Sequence, residues 1–295
     1  MKGRRIEMGS NLTYWRRKNE YAKKAKEWIA FVRTEYAQEI EDSMRGSRVW
    51  TEIEQSWCYP SGKVDRTVVL QSRKGGTSQC RCIQEWCNLN TVDAAFKYNE
   101  LLRNEGCNNG KIMVLNFASY KNPGGGFLRG SSAQEESLCH ASTLYPILVL
   151  QEEYYAWNKY HLNSGLYENR AIVSPDVVFV KGEGREAEVL KCDVITCAAP
   201  NWSAAVCRVG YGENIFVLKE RIRFLMEVAW QYKPAVFIVG AFGCGVFEQD
   251  PVMVATIFNM VMETGRTPFD RLVYAVPEIG KNGETNAKIF KEKFG

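Results

Sequence analysis

Between Tyr14 and about Asp42 apolar residues recur three or four positions apart, at Ala22, Ala25, Ile29, Val32, Tyr36 and Ile40. That spacing gathers them on one face of a helix, which must dock on a larger body. Residues 43–63, with Arg45-Gly46-Ser47 and Tyr59-Pro60-Ser61-Gly62-Lys63, read as a connector. Short apolar runs then alternate with helical stretches. Strands are predicted over 66–71, 80–89, 111–119, 176–180, 189–199, 235–242 and 271–276. Helices are predicted over 91–103, from Gln134, around 151–161, over 214–232 and over 250–263. Strands rich in Val, Ile and Phe, interleaved with long helices, specify an α/β fold in three layers, with a buried and largely parallel sheet covered on both faces. The chain divides into an N-terminal helical extension, 1–63, packed on a core domain, 64–295.

Composition narrows the class. The formal charge of +4 is concentrated at one end, since the first 50 residues hold 12 Lys and Arg against 7 Asp and Glu. This gives a basic N-terminal face and not a nucleic-acid-binding protein throughout. Trp15 and Trp28 on that face offer a nucleic-acid platform as a minor alternative; no RNA- or DNA-binding motif accompanies them. No run of about 20 apolar residues and no signal-like segment occurs, so no membrane contact is expected and the cytoplasm is the expected compartment. The ten cysteines are then reduced and largely buried. Cys80, Cys82 and Cys87 have no histidine nearby and fall in a strand-like run, so no metal is expected.

In parallel sheets, ligands gather beyond the carboxyl ends of the strands. Three loops of unusual composition leave strands there: Ser119–Ser132 with Gly124, Gly125 and Gly126, then Ala199–Ser203, then Gly243–Pro251. Gly243-Cys244-Gly245-Val246-Phe247, between a strand and a helix starting near Asp250, suits a phosphate met by backbone N–H groups and a helix dipole. Walker and dinucleotide fingerprints are absent. The triple glycine, following the strand-end Asn116, suits a sugar pressed against backbone. Glu135 and Glu136 sit in the first turn of the next helix, where the dipole alone favours carboxylates.

Three glycines, seven residues and then Gln134-Glu135-Glu136 resemble the signature of the microbial-type poly(ADP-ribose) glycohydrolases. The resemblance extends over "VLNFASYKNPGGGF", "ITCAAPN" and "GAFGCGVFEQDP". It implies a macrodomain core with a mixed sheet, an N-terminal helical extension, and ADP-ribose or poly(ADP-ribose) on modified proteins as ligand, with no cofactor. The resemblance makes Glu136 the catalytic acid and Glu135 a holder of ribose hydroxyls, supported by Gln134. It makes Asn116 and Asn122 ligand-binding residues and places Gly124 to Gly126 along the distal ribose and Gly243 to Phe247 on the diphosphate. Phe127 and Phe247 are candidate apolar walls. Asn90, where similar sequences carry Asp, reads as a helix cap, which leaves adenine recognition open.

Adjacent helical residues point about 100° apart, so Glu135 and Glu136 cannot flank one bond as a retaining or inverting pair does. One carboxyl must serve as both acid and base, which calls for a raised pKa. The alternatives are a hydrolase that removes single ADP-ribose units from protein or nucleic acid and a non-catalytic reader of ADP-ribose. The intact Gln-Glu-Glu favours catalysis.

Overall fold

The computed structural model describes residues 3–52, 67–70, 82–107, 110–182, 184–264, 269–280 and 282–295. Its strands are β1 (Arg48–Glu52), β2 (Thr67–Leu70), β3 (Ile83–Cys87), β4 (Ile112–Phe117), β5 (Arg170–Lys181), β6 (Glu188–Cys197), β7 (Val236–Val239) and β8 (Arg271–Ala275). They form one sheet in the order β2-β1-β5-β6-β4-β7-β8-β3. Only β5 runs against its neighbours, antiparallel to β1 and β6, while every other pairing is parallel. The sheet is mixed and largely parallel.

Alternation along the strands fills two cores. Met113, Leu115, Ile195, Phe237 and Val239 face one way, onto helices α8 (Tyr211–Tyr232), α9 (Pro251–Thr264) and α10 (Gly283–Phe294). Ile112, Val114, Val194, Val236 and Ile238 face the other. There they meet α1 (Gly3–Glu35), α2 (Ala37–Gly46), α3 (Thr91–Asn104), α4 (Gln134–His140), α5 (Leu144–Val149) and α6 (Glu152–Tyr160). A short α7 (Trp202–Ala205) follows β6. The result is a three-layer α/β/α domain.

Ala25, Val32 and Ile40 are buried in the same apolar cluster as Phe127, Leu138 and Leu144, so the N-terminal helices complete the core beneath α4. The expected single helix is interrupted at Tyr36, whose ψ of 33° at φ −126° breaks the helical path. Several elements differ from expectation, the short helices α5 and α7 among them. The connector supplies β1, which pairs with β2 and β5. Strand β5 begins at Arg170, well before 176, and crosses a bulge between Ser174 and Val177. An additional helix, α10, closes the fold with Ala287, Phe290 and Phe294 buried. Cys80 and most of the stretch 43–63 beyond β1 lie outside the described residues.

Candidate functional site

The side chain of Gln134 fastens the start of α4 to the carboxyl end of β4. The Phe117 N–H donates to Gln134 Oε1 at 2.8 Å, and Gln134 Nε2 donates to Leu115 O at 2.8 Å and to Thr91 Oγ1 at 3.2 Å. Gln134 therefore mimics a neighbouring strand and fixes where the next two residues begin. Asn90 caps α3, accepting from the Asp93 N–H at 2.9 Å.

Between β4 and α4 the glycines wrap around the two acids. Gly124 and Gly125 have φ of 65° and 59°, a region that side chains seldom adopt. A Cβ on Gly125 would stand 2.6 Å from Glu136 Oε1 and 2.8 Å from Glu135 Oε2, and one on Gly124 would meet the Tyr145 ring at 2.6 Å. Glu136 Oε1 accepts the Gly126 N–H at 2.7 Å, and its Oε2 accepts the Ala133 N–H at 3.0 Å. The second bond is half of a capping box.

Glu135, beside it, is 3% exposed. Its Oε2 accepts the Ser119 N–H at 2.7 Å and its Oε1 the Asn116 amide at 3.4 Å. Burial pushes the Glu135 carboxyl up to about 8, with Glu136 adding to the rise and the Ser119, Asn116 and Gly124 hydrogen bonds opposing it. Of the two neighbouring acids, it is Glu135 whose pKa is raised. Asn116 is fully buried, donates also to Thr196 Oγ1 at 3.3 Å, and leaves its Oδ1 without a hydrogen-bond donor. A buried acceptor without a donor is an open position for a ligand hydroxyl or a water.

The second loop approaches from β7. Gly243 has φ of 80°, and a Cβ there would lie 2.7 Å from that of Ala199. Gln249 is buried and pairs amide to amide with Asn214 of α8, at 2.8 and 2.9 Å, while its Nε2 also donates to Pro200 O at 2.8 Å. The Gln249 N–H closes onto Gly243 O at 3.1 Å. Inside this frame the N–H groups of Gly245, Val246 and Phe247 bond to no described residue, and a Cβ on Gly245 would meet nothing within 4 Å. Consecutive free N–H groups on an open face form an anion-binding concavity.

Two expectations for this loop change. The α9 terminus carries its own anion, because Asp250 Oδ1 accepts the Val252 N–H at 2.9 Å, so the loop's N–H groups and not the helix end face outward. Cys244 points inward, 3% exposed, with burial pushing its thiol well up, and its N–H is used by Ala241 O at 3.1 Å. Cys244 is a structural anchor of the turn.

The loop after β6 joins the other two. The Ser203 N–H donates to Phe247 O at 3.2 Å, Ser203 Oγ to Val246 O at 3.3 Å, and the Ala118 N–H to Cys197 O at 3.0 Å. The three loops therefore form one edge, as expected. Asn122 is exposed and serves the turn through its carbonyl, which accepts the Gly125 N–H at 3.0 Å. Val246 is 76% exposed and Phe247 half-buried. Phe127 does not line the cleft. It is 0% exposed, with its ring 4.6 Å from His140 and 4.9 Å from Tyr145, and supports the glycine turn from below.

Two residues that no motif marks also border the site. Tyr167 stacks on Tyr120 at 4.1 Å, and Arg221 of α8 is buried beneath them. Arg221 had one legible signal, a charge on the apolar face defined by Leu218, Ile222 and Leu225; Tyr167 had none.

Among the described residues no group of three His, Cys, Asp or Glu could hold a metal ion, and no helix is long and apolar enough to cross a membrane.

Comparison with known proteins adds to this geometry. The sequence model of the microbial-type PARG (poly(ADP-ribose) glycohydrolase) catalytic domain matches residues 14–182. Among solved structures, the poly(ADP-ribose) glycohydrolase of Thermomonospora curvata is similar with a TM-score of 0.76 and 24% identity, covering 94% of this chain and 100% of that one. The Deinococcus radiodurans poly(ADP-ribose) glycohydrolase in complex with ADP-ribose is 32% identical, with a TM-score of 0.63 over 72% of this chain and 84% of that one. A second crystal form of that complex gives 27% identity and a TM-score of 0.68 over 86% and 96%. No curated protein matches the chain.

Proposed function

The chain belongs to the microbial-type poly(ADP-ribose) glycohydrolase family and is a glycosidase acting on poly(ADP-ribose), in which we propose that Glu136 is the general acid and base. The observation that carries this reading is the contact between Glu136 Oε1 and the bare backbone of Gly125 and Gly126. An acid held against glycines reaches whatever sugar lies on the other side of them.

In this mechanism the diphosphate of the terminal unit takes the N–H groups of Gly245, Val246 and Phe247, and its distal ribose lies over Gly124 to Gly126. Glu136 gives its proton to the departing ribose oxygen as the glycosidic C–O bond breaks and positive charge spreads over the ring. The carboxylate then takes a proton from the water that attacks the anomeric carbon. ADP-ribose leaves, and Glu136 is protonated again. No second carboxylate stands across the bond, since Glu135 is tied to Ser119 and Asn116. Glu135, whose pKa burial raises to about 8, holds ribose hydroxyls beside Glu136. We place the enzyme in the cytoplasm, in keeping with eight free cysteines among the described residues; its substrates there are polymer-modified proteins, with no direct nucleic-acid contact.

Glu136→Gln preserves shape and removes the proton. ADP-ribose release from automodified polymer should fall by at least the ~10²–10⁴ of general acid–base catalysis, while calorimetric affinity for ADP-ribose changes little. Release at the parental rate would remove Glu136 from this role, and parallel assays on singly modified protein would show which acceptor is preferred.

A further inference from the structure

Immediately before β5, the backbone turns left-handed at four of five residues: Asn163 (φ 42°), Ser164 (54°), Gly165 (101°) and Tyr167 (63°). Such conformations cost of order 1–3 kcal/mol at non-glycine residues and persist only where the surroundings enforce them. One group that holds the segment is Arg221, which is 1% exposed and reaches it from α8 on either side of Tyr167. Its Nε donates to Asn169 Oδ1 at 2.6 Å, its Nη2 to Leu166 O at 3.2 Å and its Nη1 to Ala198 O. All three acceptors are neutral, and the nearest carboxylate in the network, Glu52, is reached only through the Asn169 amide. A buried cation held by neutral oxygens is expensive to desolvate, so the arrangement has to be explained by what it positions. Asn201 adds a second tie, its N–H donating to Gly165 O at 2.9 Å and its Nδ2 to the Tyr167 hydroxyl at 3.4 Å.

What these ties hold in place is the Tyr167 ring. It lies flat on Tyr120, 4.1 Å away with an interplanar angle of 11°, and Phe247 meets its edge at 6.1 Å and 63°. Tyr120 is itself locked, its hydroxyl donating to His161 O at 3.1 Å and accepting the Glu168 N–H at 3.3 Å. A rigid aromatic pair thus stands behind the one half-buried ring of the diphosphate loop.

We propose that Tyr167 is a positioning residue: clamped by Arg221, it sets the orientation of Phe247 and, through it, the seat of the distal ribose over Glu136. This inference rests on the functional reading above. Misplacing a reacting group by about 1 Å can cost about 10²-fold in rate with little change in binding.

The discriminating variants are Tyr167→Gly, which accepts the positive φ and deletes the ring, and Tyr167→Phe, which keeps the ring and deletes only the hydroxyl. On poly(ADP-ribose), Tyr167→Gly should lower kcat at least tenfold with KM changed less than threefold, and Tyr167→Phe should restore the parental kcat. Arg221→Lys, which keeps charge but cannot serve three acceptors, should resemble Tyr167→Gly if it folds. A fluorine placed on the Phe247 ring reports orientation independently of turnover, and its NMR resonance should shift or broaden in Tyr167→Gly but not in Tyr167→Phe. A parental kcat in Tyr167→Gly overturns the proposal, as does an unchanged fluorine resonance. A parent that releases no ADP-ribose would instead overturn the functional reading, leaving the fluorine spectra to decide whether Tyr167 orders Phe247.

Discussion

Gly125 and Glu136 are packed so closely that a Cβ on the glycine would stand 2.6 Å from the acid's Oε1. Gly125→Ala should therefore act twice, displacing Glu136 and forcing alanine to φ of 59°. Turnover should fall by at least tenfold. Melting should show a loss of about 1–3 kcal/mol for the left-handed residue. An active variant with a parental melting temperature would mean that the turn and the acid are less tightly coupled than their contact indicates.

Glu135 gives a prediction in pH. Its folded pKa, about 8, lies above the ordinary carboxyl value of 4.5, so the folded protein binds the proton more tightly than the unfolded chain between those values. Stability from this group is full below about pH 4.5 and declines toward pH 8, by at most about 1.4 kcal/mol per unit. Glu136, Asn116 and the Ser119 N–H face it in both forms. Melting curves of the parent and Glu135→Gln from pH 5 to 8 should diverge, the variant losing this downward slope. Parallel curves would place the titration elsewhere.

At Gly245 the space beyond the backbone is open, so Gly245→Val should melt like the parent. Its side chain would stand over the three free N–H groups and should weaken ADP-ribose binding at least tenfold by calorimetry. Unchanged affinity in the folded variant would remove the loop from phosphate recognition.

The α1 face makes a structural prediction. Val32 is fully buried in the cluster that includes Phe127 and Leu138, and Val32→Asp would put an unpaired charge there. The melting temperature should fall by several degrees, and turnover should fall with it because the same cluster supports the glycine turn. A variant that melts normally would show that the helix is only loosely docked.

Much of the site was legible because its parts are local. Gly124 to Gly126, Gln134, Glu135 and Glu136 lie within thirteen consecutive residues, and their chemistry depends on spacing along the chain. The central strands β4 and β7 were equally plain, since they are nearly unbroken apolar runs. What escaped depends on distant contacts. Pro175 and Asp176 made β5 look as if it began late; the strand instead bulges there, with Asp176 at φ of 51° and its N–H donating to Asp193 Oδ1 at 3.0 Å. Pairing with β2 and β5 makes Arg48–Glu52 a strand. Phe127 read as a possible wall because nothing in "GGGFLRG" reveals that His140 and Tyr145 enclose it. The burial that raises Glu135 comes from residues folded over it, and neighbouring letters do not record it.

The reversal of β5 has a consequence for how this cleft is walled. Ala171, at the start of β5, pairs with Cys197, at the end of β6, so residues entering β5 arrive at the edge where β4, β6 and β7 finish. In a wholly parallel sheet every segment at that edge departs from a strand and must travel back across the sheet before the next strand begins. The segment before β5 comes directly from α6 and owes nothing to a crossover. The turns of this wall are therefore set by side-chain ties from Arg221 and Asn201 and not by the demands of a crossover, independently of the three strands whose loops carry the acids and the free N–H groups.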